Sequence, residues 1–328
     1  MSFGSMPDGE AVTRHRISGG GLTGHVLSYG AVLQDLYLEG WDHPLVLGFD
    51  DFAPYLKDSP YFGAMAGRCA NRIGEGQFTI DGQSFQADRN FQDRHALHGG
   101  SVGIGKRNWQ VEDVADDRVR LGISLADGEM GFPGAMEIKL HYALLDGGVF
   151  DIRVEAMTDK PTLCNIAHHS YWNLDGEPTT HAHLLQVDAD RYTAVDDGFI
   201  PTGKTPDVVA SRYDFRSERP IADDVFIDHN LCVSTAQQPL RRIGFLRSTK
   251  SNVTMEIRTT EPGLQVYDGF KLDVGPPGLG GRRYGKNAGV ALEPQAWPDG
   301  INHEGFPNTV LRPGETYIQH TQFAFSKG

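Results

Sequence analysis

Cysteine is scarce in this chain. Only Cys69, Cys164 and Cys232 occur in 328 residues, an odd number with no C-x-x-C pair. That argues against a disulfide framework or a cysteine zinc site, and suits a reducing compartment. Long apolar runs are missing as well. No stretch of about 18 apolar residues exists to span a bilayer. The opening segment, Met1 to Ile17, carries Asp8, Glu10, Arg14 and Arg16 where a secretory signal needs an apolar core. The expected location is the cytoplasm, with no membrane partner. Basic charge is in deficit. Thirty Lys and Arg face 43 Asp and Glu, for a net charge of −13. Phosphate backbones need a basic face, so no nucleic-acid partner is expected. Helical periodicity is absent too: no long segment repeats apolar residues at i, i+3 and i+4.

What the chain has is period-two alternation, with enough apolar residues (39%) to bury a sizeable core. Val119, Leu121, Ile123 and Leu125 alternate with polar or small residues, as do Met136, Ile138, Leu140, Tyr142 and Leu144. Asp146-Gly147-Gly148 then turns the chain into Val149 to Val154, a predicted β-hairpin. A second hairpin is predicted at Phe78 to Gln86, because Asp81-Gly82 suits the positive φ of a tight turn. Val253 to Ile257 alternates too, and Glu261-Pro262-Gly263 leads it into Leu264 to Tyr267. Forty glycines and eighteen prolines punctuate these strands. The fold class is all-β, a large antiparallel β-sandwich or barrel. No linker or repeat divides residues 1–328, which read as one domain. Gly275 to Gly281, with Arg282, Arg283 and Lys286 behind it, reads as a mobile loop within that domain.

Glu293 ends an apolar run, Gly289 to Leu292, just before a Trp-Pro turn. A buried-looking strand that delivers a lone acid is a good way to place a proton acceptor. Far away lies His168-His169-Ser170-Tyr171-Trp172-Asn173. Adjacent strand residues face opposite sides, so only one of the two histidines can line a pocket. The other reads as a hydrogen-bonded core histidine. Arg68, Asn71 and Arg72 offer guanidinium forks and an amide for oxygen-rich ligands. His98 precedes Gly99-Gly100, where backbone can approach a ligand closely. His181 and His183 have the i, i+2 spacing of a metal-binding strand but no completing Glu, and read better as surface or loop residues. Ile227-Asp228-His229-Asn230 reads as an Asx-type turn. Trp172 and Tyr267 beside these polar groups would suit the C–H face of a sugar.

Taken in order, the motifs resemble the aldose 1-epimerase (galactose mutarotase) family. They are GRCANRI (67–73), FTIDG (78–82), ALHGG (96–100), HHSYWNL (168–174), DRYTAVDDGFIPTG (190–203), IDHN (227–230), EPGLQVY (261–267), LEPQAWPD (292–299) and FPNTVLRPGETY (306–317). The resemblance implies a galactose mutarotase-like supersandwich and cofactor-free, metal-free interconversion of the α and β anomers of a free aldose such as galactose or glucose. It implies that Glu293 is the general base at the C1 hydroxyl, that His169 is the acid at the ring oxygen, and that His98 sits beside them. Asn71, Arg72, Asp228 and Gln265 are implied to orient hydroxyls, with Ser170 and Tyr171 completing the matched run. Pro294 departs from a common Thr, and Trp172 from a common Phe. The expected partner is a monosaccharide, and the expected assembly a monomer or homodimer. Three other readings stay open at this level. One is a sugar-binding protein without turnover. Another is a mutarotase for phosphorylated or acidic sugars, with Arg282, Arg283 and Lys286 drawing the anion. The third is a metal-dependent enzyme built on His181 and His183.

Overall fold

Alternation becomes sheet throughout. A computed structural model describes residues 1–221 and 226–328. Among these, the one α-helix is the five-residue segment Ala53–Lys57. A nine-stranded antiparallel sheet runs in the order 110–114, 118–125, 136–145, 149–158, 317–327, 253–259, 241–248, 183–187 and 219–220. A five-stranded sheet runs 171–172, 290–295, 263–267, 228–232 and 191–192. A four-stranded sheet holds the N-terminal segment, residues 2–38.

The predicted hairpins form. Met136–Leu145 pairs with Val149–Thr158 across Gly147 and Gly148, both at positive φ. Phe78 pairs with Phe85 across Asp81-Gly82, also both at positive φ. Glu261-Pro262 does something else. The strand before it, Val253–Thr259, pairs within the nine-stranded sheet, whereas Gly263–Tyr267 belongs to the five-stranded sheet. This connection therefore crosses between sheets instead of closing a hairpin.

One apolar cluster lies between the sheets. The nine-stranded sheet contributes Tyr142, Phe150, Ile152, Val154, Met255, Ile257 and Phe323. The five-stranded sheet contributes Leu231, Leu264, Val266, Val290 and Leu292. The alternation that sends these residues inward turns Asn230, Gln265 and Glu293 to the opposite face of the five-stranded sheet. That face carries the site.

Candidate active site

Glu293 lies on Val290–Gln295, directly opposite Gln265 on Gly263–Tyr267, which in turn faces Asn230. The same register sets Asp228 opposite Tyr267 and Tyr267 opposite Ala291. Directly opposed residues share a sheet face, so acid, amides and aspartate project together from three neighbouring strands. Every residue of Val290–Gln295 is buried. This explains why the acid sits in an apolar run: one face enters the core and the other floors the site.

His169 arrives from a different element. The two-residue strand Ala167–His168 pairs with Met65–Ala66, and the next N–H, that of His169, bonds to the Ala64 carbonyl at 2.9 Å. Its Nε2 then lies 3.6 Å from Glu293 Oε1. His98 packs edge-on to His169, with ring centroids 5.1 Å apart. His98 has φ 51°, donates its own N–H to Asn71 O, and accepts the Asn71 N–H at Nδ1 (3.2 Å). A neutral imidazole that accepts at Nδ1 carries its hydrogen on Nε2. Gly99 is needed for a close approach, but the neighbour is the chain itself. A Cβ there would lie 2.0 Å from the Gly67 carbonyl. The glycines tie the His98 loop to the segment that leads into Arg72, and no ligand backbone contact follows from them.

Arg72 forms the opposite wall. Its Nη2 donates to Asp228 Oδ2 at 2.8 Å, and Gln265 Nε2 donates to Asp228 Oδ1 at 2.6 Å. Asn71 Oδ1 accepts from the Arg72 backbone N–H at 2.9 Å. Phe91 and Phe199 hold the guanidinium at 4.9 and 5.2 Å from their ring centroids. The result is a fixed fork of donors and a fixed carboxylate, which suits vicinal hydroxyls. Tyr61 completes the site beside the histidines. Its ring stacks on His169 (5.8 Å between centroids, 26°) and tilts against His98 (4.7 Å). It also has φ 67°, unusual for a bulky residue.

Electrostatics follow from burial. Desolvation, helped by the Asp228 charge and opposed by Arg72, pushes the Glu293 carboxyl well above the usual range. Desolvation drops His169 to about 4 and holds His98 well below an ordinary imidazole, with His169 adding to the latter effect. Both effects favour uncharged partners in a site closed to water. His98, His169 and Glu293 bring ligand atoms within 4.8 Å of one another, the spacing of a two-histidine, one-carboxylate metal site. His98 fits that role poorly. Its Nδ1 lone pair is taken by Asn71, and its Nε2 carries hydrogen. The trio is better equipped to move protons.

Several sequence readings change here. His168 is the core histidine, bonded to Tyr142 Oη (3.0 Å) and Ser170 Oγ (2.7 Å), so His169 is the one that faces the site. Ser170 therefore spends its hydroxyl on His168. Tyr171 packs against His169 and Phe62 and backs the histidine. Trp172 is fully buried against Phe323 and Phe325, so it is core and not a sugar platform. Arg68 is also spent inside, donating to the Pro133 and Gly134 carbonyls. Asp228 and Asn230 are strand residues instead of a turn, because Asp228–Cys232 pairs in register with Gly263–Tyr267. His183 is not at the surface: it is buried, and its Nε2 accepts the Leu174 N–H, while His181 is exposed. The 275–283 loop is tied down through Leu279 N to Gly48 O and Gly280 N to Asp50. Tyr61 was missed because one aromatic beside Phe62-Gly63 gives no local sign of two histidines above it.

The chain is similar to known proteins along its whole length. The family model described as aldose 1-epimerase matches residues 14–324. A human protein named galactose mutarotase is 34% identical over 99% of this chain and 97% of its own length. An Escherichia coli aldose 1-epimerase is 32% identical over 93% of this chain and 92% of its own. Among solved structures, an aldose epimerase homologue from C. elegans superposes with a TM-score of 0.91 at 33% identity, covering 97% of this chain and 99% of that one.

Proposed function

The chain belongs to the aldose 1-epimerase family, and from that premise we propose that Glu293 and His169 carry its mutarotase reaction as base and acid. The observation behind the assignment is the 3.6 Å approach of His169 Nε2 to Glu293 Oε1, two titratable groups from unrelated elements in a buried site. Glu293 takes the proton from the C1 hydroxyl. The freed O–H electron pair forms the C1=O bond, the C1–ring-oxygen bond breaks, and its pair takes the proton from His169. Rotation about C1–C2 and the reverse steps close the ring on the other face. Ring opening turns a charged pair, carboxylate and imidazolium, into a neutral one. Burial favours that direction, as both shifted proton affinities indicate. Arg72, Asp228, Gln265 and Asn71 hold the remaining hydroxyls, so the open-chain aldehyde stays in place. His98, with hydrogen on Nε2, supports the oxygen side. We take galactose as the first sugar to test, since relatives over the full length are named for it. The three free thiols suit a reducing compartment, so we place the enzyme in the cytoplasm.

Polarimetry on freshly dissolved α-D-galactose, α-D-glucose and L-arabinose, without added metal, tests the assignment. Glu293→Gln should lose about 10²–10⁴-fold in turnover, the usual contribution of a positioned base, while still binding sugar. A Glu293→Gln enzyme near wild-type rate would remove Glu293 from the mechanism.

A further inference from the structure

Polar groups without partners concentrate at this site. Half of the buried side-chain polar atoms that lack a hydrogen bond among the described residues belong to it: Arg72 Nε, His169 Nδ1, Gln265 Oε1, Glu293 Oε2, Asn230 Oδ1 and both amide atoms of Gln295. The first four border the space a sugar would fill. Asn230 and Gln295 do not fit that account. Gln295 is fully buried, and its row, with Gly263 and Cys232 opposite, lies one step along the strands from the Glu293 row, on the same face. Residues two apart on a strand have Cα atoms roughly 7 Å apart, yet neither Gln295 amide atom nor Glu293 Oε2 has a hydrogen-bond partner, which leaves a place for one bridging molecule. A wholly unsatisfied buried amide costs about 1–3 kcal/mol for each group, so native structures fill such places with water. Gly263 leaves room for the Asn230 side chain itself, which lies over it. A Cβ at 263 would meet Asn230 Oδ1 at 2.2 Å.

We propose that Gln295 and Asn230 hold a buried water against Glu293 Oε2, and that this water is a built-in hydrogen-bond donor to the catalytic base. Gln295 Nε2 donates to the water, which donates one hydrogen to Glu293 Oε2 and the other to Asn230 Oδ1. Three of the four orphaned atoms here are then satisfied, and Gln295 Oε1 alone keeps no donor. A carboxylate that accepts such a bond is easier to ionise, so the water counters the burial that raises Glu293. The charged groups around it bear on the same balance: Asp228 works against ionisation, Arg72 works for it, and His169 faces Oε1. Gln295 and Asn230 are thus positioning residues that never touch sugar. The inference rests on Glu293 being the base.

The test is the pH profile of kcat on α-D-galactose for Gln295→Leu, which keeps the volume and removes the amide. The expected result is a rise of one pH unit or more in the limb on which the base ionises. The loss is at least tenfold at neutral pH and is largely recovered at high pH, with KM within twofold. Asn230→Ala should move the limb the same way by less, and serves if Gln295→Leu does not fold. A uniform loss at every pH, or an unmoved limb in the variant that folds, overturns the inference. An active Glu293→Gln enzyme would instead overturn the reading it rests on, so the two failures are separable.

Discussion

Removing the Asp228 carboxylate should cripple the enzyme without unfolding it. Asp228 is the one group that anchors both Arg72 Nη2 (2.8 Å) and Gln265 Nε2 (2.6 Å), and the ion pair is mostly buried, with side chains 10% and 13% exposed. In Asp228→Ala the guanidinium loses its counter-charge. It keeps a 3.4 Å contact to Asn71 Oδ1 and its place between Phe91 and Phe199. Gln265 loses its fixed direction as well. Each charge-assisted bond contributes about 1.5–3 kcal/mol, and part of the loss is relieved by the 10% and 13% exposure that the Arg72 and Asp228 side chains keep. About 2–4 kcal/mol should therefore be missing from transition-state binding, or roughly 30–1000-fold in kcat/KM. Asp228→Asn keeps one acceptor and should lose roughly tenfold. A second effect has the opposite sign. The Asp228 charge raises Glu293, so both variants should ionise the base at lower pH than wild type. Polarimetry of α-D-galactose across pH reads both quantities, with a melting curve as control. Asp228→Ala within threefold of wild type, at unchanged melting temperature, would refute the role of this carboxylate as the anchor of the hydroxyl-binding wall.

Arg72→Lys should raise KM for α-D-galactose at least tenfold, since a point ammonium replaces a planar fork held between two aromatic rings; an unchanged KM in the same polarimetric assay would remove Arg72 from sugar binding. Glu261 is raised to about 7 by burial. Its folded-state proton affinity exceeds the unfolded one, so its stabilising contribution is complete below about pH 4.5 and is lost as pH rises through about 7. Glu261→Gln should therefore stabilise the fold more at pH 8 than at pH 5, by roughly 3 kcal/mol at most. Equal shifts in melting temperature at the two pH values would contradict this.

The strands were legible because their cause is local. Met136–Leu145 and Val149–Thr158 alternate residue by residue, and Asp146-Gly147-Gly148 supplies the turn. Glu293 was legible as a lone acid in a buried strand. The family motifs named its partners by position, and the chain brings Asn71, Arg72, His98, His169, Asp228, Gln265 and Glu293 together. Local pattern failed where an element is too short to show a period, or where its partner decides its environment. His168 and His169 sit at the end of a two-residue strand. Pairing with Met65–Ala66 and contact with Tyr142, more than 20 residues away, chose which one enters the core. The same choice gave Ser170 to His168 and Trp172 to Phe323, although both stand among site residues in sequence. Asp228-His229-Asn230 looked like a turn because its polar residues are strand residues facing a polar site. The sequence by itself determined most of the sheet-forming segments, their hairpin turns and which side chains are able to move protons, since alternation, positive-φ glycines and side-chain chemistry are local properties. Only the tertiary structure decided which face each group presents and how far His169 lies from Glu293, because a strand's inward side is set by the strands it pairs with.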